Sequence, residues 1–156
     1  LQNASRISIK PWPRSSRIGI VDVADISAIR AGLKARLATI TGLRAFDFIP
    51  DSLPVPAAYV GGPATAKRLT MGSPKRDWRI SIRILVARVD DRVGQSKLDD
   101  YLVIGTTSID DALEGDPTLG GIADFAVTQD SATGYGVYDA GGIKYWGFEV
   151  PVRIVA

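Results

Sequence analysis

Along residues 77–92, DWRISIRILVARVDDR, the even positions Trp78, Ile80, Ile82, Ile84 and Val86 are all apolar. The odd positions begin as Arg79, Ser81 and Arg83 and then become Leu85, Ala87 and Val89. Alternation with a period of two predicts a strand with one face buried throughout. The other face is expected to change from basic to buried halfway along. A second long alternation runs from Ile143 to Val155. Trp146, Phe148, Val150, Val152 and Ile154 share one side, Glu149 and Arg153 the other. Pro151 lacks an N–H for a ladder, so its nitrogen should face an edge or a bulge. If this strand pairs antiparallel beside the first, Glu149 and Arg153 come to face Arg79 and Arg83.

Elsewhere the period changes. Ile26, Ile29, Leu33, Leu37 and Ile40 recur at spacings of three and four, predicting an amphipathic helix over 26–40. Asp25 suits its N-cap, Gly42 its stop, and Lys34 and Arg36 the negative end of its dipole. Residues 43–49 read as a strand. Pro50, Pro54 and Pro56 then force a loop, and 57–60 reads as a short strand. The stretch 61–76, GGPATAKRLTMGSPKR, is a long connection punctuated by Gly and Pro; a projecting hairpin is the alternative fit. Asp90 or Asp91 should cap a helix carrying Val93, Leu98, Tyr101 and Leu102, and Ser108 a short helix with Asp110 and Asp111 in its first turn. Residues 115–121 form a turn, followed by strands near 122–130 and 135–139.

The expected order is α-β-β-β-α-α-β-β-β. This gives an α+β single domain: a mostly antiparallel mixed sheet with helices packed on one face, over residues 24–156. Residues 1–23 read as an extended basic N-terminal arm. Trp12 lies between Pro11 and Pro13, and the pairs Ile7/Ile9 and Ile18/Ile20 suit short segments that add onto another surface.

Composition changes the picture through what is missing and where charge lies. The chain of 156 residues has no Cys and no His. Disulfides, thiol nucleophiles, histidine-based acid–base schemes and Cys or His metal sites are thereby excluded. No run reaches the roughly 18 apolar residues of a membrane span, and the polar start lacks the apolar centre of a signal peptide. Net charge is only +2, but it is unevenly spread. Arg6, Lys10, Arg14 and Arg17 are unopposed in the first 20 residues. Residues 64–92 hold Lys67, Arg68, Lys75, Arg76, Arg79, Arg83, Arg88 and Arg92 against three aspartates. Residues 99–139 hold nine acids and no base. Such polarity lets basic surface on one copy meet acidic surface on another.

Catalytic and ligand signatures do not emerge. GGPATAKRLT fails the spacing of a phosphate-binding P-loop, and GYGVYDAGG reads as a hairpin turn rather than a dinucleotide fingerprint. The Asp pairs at 90/91, 99/100 and 110/111 are adjacent in sequence, so on a helix they diverge by about 100°. Lys75, Arg76, Trp78 and Arg79 interleave bases with an aromatic, but Trp78 belongs to the apolar face. The expectation is a protein with no cofactor and no enzymatic activity.

The ordered series A-I-R-x-G-L at 28–33, G-L-R at 42–44, F-x-P-D-S at 48–52, D-D-R-x-x-Q-x-x-L-D-x-Y-L at 90–102, DPTLGG at 116–121 and GGIKYWGFEV at 141–150 resembles tail terminator proteins of long, non-contractile-tailed actinobacteriophages. The resemblance covers residues 24–156. It implies a structural virion protein: a hexameric ring subunit that caps the tail tube, stops its polymerisation and joins the head-completion (stopper) protein. Its partners would be copies of itself, the major tail protein and the stopper, with double-stranded DNA only passing through the lumen, at the head-proximal end of the tail. Another head–tail connector component is the alternative. Candidate contacts between subunits or with the tube are Arg6, Lys10, Trp12, Arg14, Arg17, Lys67, Arg68, Met71, Lys75, Arg76, Arg79, Arg83, Glu149 and Arg153.

Overall fold

A computed structural model describes residues 25–103, 108–129 and 133–156 of the chain. Its elements follow the expected order: α1 (Ile26–Leu37), β1 (Arg44–Phe46), β2 (Ala57–Arg68), β3 (Arg76–Arg88), α2 (Gly94–Asp100), α3 (Ile109–Glu114), β4 (Phe125–Thr128), β5 (Thr133–Ala140) and β6 (Ile143–Val155). All six strands join one sheet in the order β1-β2-β3-β6-β4, with β5 also on β6. Every pair is antiparallel except β1 with β2, which is parallel. The fold is therefore the α+β single domain with a mostly antiparallel mixed sheet.

The even positions of β3 set the core. Trp78, Ile80, Ile82, Ile84 and Val86 are all buried. They lie opposite or diagonal to Phe148, Val150, Val152 and Ile154 of β6, and both sets join one apolar cluster. Onto this face pack Ile29, Leu33 and Leu37 of α1, Leu98 of α2, and Ile109 and Leu113 of α3. Burying a side chain such as Phe148 contributes about 1.5–3 kcal/mol. The turn 116–121 closes beneath α1: Asp116 accepts the backbone N–H groups of Thr118 and Gly120. Leu119, Gly120 and Gly121 all adopt positive φ, and Leu119 enters the core.

The opposite face carries a second, smaller cluster of Tyr59, Leu85 and Tyr145, packed against Phe46, Leu53, Val55, Tyr138 and Ala140. This explains the change along β3. Leu85 lies where the proline-rich loop and β5 cover the back of the sheet, whereas Arg79 lies beyond that cover.

Several local expectations are corrected. The helix over 26–40 ends at Leu37, although Ile40 remains buried. Asp25 and Ser108 sit at N-cap positions without a side-chain capping bond. The strand over 43–49 shrinks to Arg44–Phe46, leaving Phe48 and Ile49 exposed. Val89, expected to continue the buried side, is partly exposed, as are Val93 and Leu102. The strand near 122–130 is confined to Phe125–Thr128. Of the two forms expected for 61–76, the structure has the hairpin and not the long loop: β2 runs on to Arg68, and the chain turns back into β3 at Arg76. Glycine and proline misread this stretch because Pro63 falls between two register shifts, where a missing N–H is tolerated. The arm at 1–23 lies outside the described residues.

Candidate interaction surface

Most candidate residues within the described chain collect at one end of the sheet, while Arg83 and Glu149 lie nearer its middle, beside Tyr59. Lys67 and Arg68 end the outward arm of the β2–β3 hairpin, Met71 stands fully exposed at its tip, and Lys75 and Arg76 begin the return. Arg79 and Arg83 follow on the face of β3 away from the helices. Arg6, Lys10, Trp12, Arg14 and Arg17 lie outside the described residues.

The antiparallel pairing expected between the two long strands is present. Arg83 lies directly opposite Glu149, and its guanidinium bonds that carboxylate. Tyr138 stacks beneath the same guanidinium, 5.6 Å from ring centroid to Cζ. Tyr59 beside it and Glu149 raise the Arg83 pKa above its already high ordinary value, so the charge is fixed. Arg79 lies opposite Arg153. Arg153 forks onto Asp77 instead, with Nη2 2.9 Å from Oδ2 and Nε 3.1 Å from Oδ1. Like charges directly opposite on a sheet repel, and Asp77 relieves Arg153 of that repulsion. Asp77 was missed as a site residue, although the alternation that grouped Arg79 with Arg83 also places it on that face. Lys75 pairs with Asp124, just before β4, which no local signal reveals.

A second arrangement that sequence did not foresee marks where the sheet opens. Arg30 of α1 donates to the carbonyls of Asp47 at 2.9 Å and Val60 at 3.0 Å. It closes the gap where β1 leaves β2, since β1 pairs only with residues 57–59. Beyond Val60, β2 bonds β3 alone among the described strands. Arg30 also lies over Phe48, 4.6 Å from its ring centroid.

Concave sites offer little chemistry. A groove of about 650 Å³ beside α2 is lined by Val86, Ala87, Arg88, Asp90, Asp91, Lys97 and Tyr101 among others. Its Asp91 carboxylate already accepts Lys97 at 2.9 Å and the Val93 N–H at 3.1 Å, contacts that hold its pKa below the usual carboxylate value. Among the described residues, no helix is long and apolar enough to cross a membrane. No protein-family model matches the chain, and neither does the sequence of any curated protein.

Proposed function

We propose that this chain is a structural subunit of a phage tail, a tail terminator that forms a ring on the end of the tail tube. In this reading six copies close the ring. They stop addition of the major tail protein and offer the opposite surface to the stopper, with DNA passing through the lumen. The protein acts by contact alone and needs no cofactor.

The observation that carries the reading is the asymmetry of the sheet. The basic β2–β3 hairpin lies on one side of the sheet, and on the other Asp139 of β5 and Asp99, bonded by Tyr135, supply carboxylates. Two unlike, complementary patches on one subunit are what a heterologous, ring-forming contact requires. The resemblance of the ordered motifs to tail terminators supplies the particular ring.

Tail length in infections lacking this protein, measured by electron microscopy, tests the proposal. Overlong, headless tubes are the expected result. Tails of normal length beside unjoined filled heads would move the protein to another connector position. Normal infectious particles would overturn the structural reading.

A further inference from the structure

We infer that the outer half of β2 is an assembly edge that pairs, strand to strand, with β5 of a second copy of this chain. The inference rests on the ring reading and names the surfaces that would close it.

Among the described residues this edge is open, and its accessible groups can be identified. Past Val60, β2 has β3 on one side and no described strand on the other. Two register shifts around Pro63 disturb its first part, but from Thr65 to Arg68 the pairing with β3 is regular. The Leu69 N–H donates to Lys75, so the backbone groups of Leu69 and Lys67 point toward β3. Those of Ala66 and Arg68 therefore point outward. Ala66 lies opposite Trp78, which puts its side chain on the helix-bearing face.

Charge at this edge calls for an acidic neighbour. Arg68 lies directly opposite Arg76, on the same face as Ala66 and Trp78. Two guanidiniums so placed destabilise the hairpin. Among the described residues, no salt bridge neutralises either. Lysine, proline and bulges at a sheet edge discourage indiscriminate pairing; here they leave a short basic stretch that admits an acidic strand.

Strand β5, with Asp139 on it and Asp99 beside it, supplies carboxylates at the far side of the sheet. Among the described residues it bonds β6 and no other strand, and Tyr135 and Val137 are exposed on it. Asp139 lies opposite Lys144, on the helix-bearing side with Val137. The Tyr135 hydroxyl donates to Asp99 of α2, holding a second carboxylate beside this edge. The neighbouring β4 is the weaker choice, because the Ala126 N–H is already given to Pro117.

Direction agrees as well. β6 runs against β3, and β5 against β6, so β5 runs with β3 and against β2. A second copy set beside the first without inversion therefore presents β5 antiparallel to β2. The helix-bearing faces then stay on one side. Each copy uses one edge of each kind, which generates rings or filaments rather than closed dimers.

The absence of cysteine makes the test direct. Ala66→Cys is combined in turn with Tyr135→Cys, Val137→Cys and Asp139→Cys, and each double variant is oxidised mildly at high concentration. At least one should give a ladder of covalent species beyond the dimer on a denaturing gel. The single variants give dimers at most. Adding Arg68→Pro to the laddering variant should abolish the ladder while leaving its melting temperature nearly unchanged, since the lost N–H points away from β3. Multimers seen by light scattering without any ladder would overturn the β2–β5 pairing and leave the ring reading intact. Dimers from single variants with no ladder would mean a symmetric contact and also overturn it. A monomer throughout would overturn both.

Discussion

The two ends of β3 are built on the same alternation but live in opposite surroundings. Toward Leu85 the strand is covered on both faces: by Phe148 and the helices in front, and by Tyr59, Tyr145 and the proline-rich loop behind. Toward Arg76 the front keeps its buried Trp78, while the back carries Asp77 and Arg79 and the neighbouring arm of β2 is exposed throughout. The covered end is where stability is made. The projecting end adds little burial and much charge, a distribution that serves contact with another molecule better than folding.

Substitutions should separate these roles. Phe148→Ala, at a residue only 1% exposed, is expected to cost about 3–5 kcal/mol, read by urea unfolding. Gly147→Ala comes next. An added Cβ would lie 2.5 Å from both the Ile84 carbonyl oxygen and Leu85 Cδ2, and such overpacking costs about 1–3 kcal/mol. At the projecting end, Arg79→Glu with Arg83→Glu should cost less than either. The Arg83–Glu149 pair is partly solvated, and surface pairs of this kind are worth about 0–1 kcal/mol. On the proposed ring reading, the same double variant abolishes assembly in size-exclusion chromatography; unchanged assembly would remove these arginines from the interface.

The smallest expected effect is on pH dependence. Bonds from the Thr118 hydroxyl and then the Gly120 N–H lower the Asp116 pKa in the folded chain. The unfolded chain therefore takes up this proton first as pH falls. The stabilising contribution is complete above the ordinary carboxylate range and lost as pH drops through it toward the folded value. Asp116→Asn should flatten that part of a plot of melting temperature against pH.

Much of this architecture was legible in the chain. Period-two runs fixed β3 and β6 almost to the residue, and the spacing of Ile29, Leu33 and Leu37 fixed α1. The facing of Arg83 and Glu149 followed once antiparallel pairing was assumed. What escaped depended on tertiary partners. Gly61, Gly62 and Pro63 read as breakers because their compatibility with a strand comes from β3 and from the bulges. The shortness of β1 reflects where Arg30 takes over the carbonyl of Val60. The fork of Arg153 onto Asp77 rather than toward Arg79 required the diagonal geometry of paired strands. Charge counts located the basic and acidic runs in sequence, but not that Lys75 of one pairs with Asp124 of the other.

The hairpin also has a consequence for the order of folding. β2 and β3 meet through a tight local turn, whereas the central β3–β6 ladder joins residues such as Arg83 and Glu149, 66 positions apart. Local hairpins form within about 1–10 μs, and long-range strand pairing is slower because more chain entropy is lost before any contact rewards it. During synthesis the hairpin leaves the ribosome well before β6 does. The nascent chain thus carries an exposed strand edge while the partner that buries Ile80 and Ile82 has yet to be made. Two such chains on one messenger could pair too early. The crowded arginines of the hairpin, which repel their own kind, also guard against that encounter.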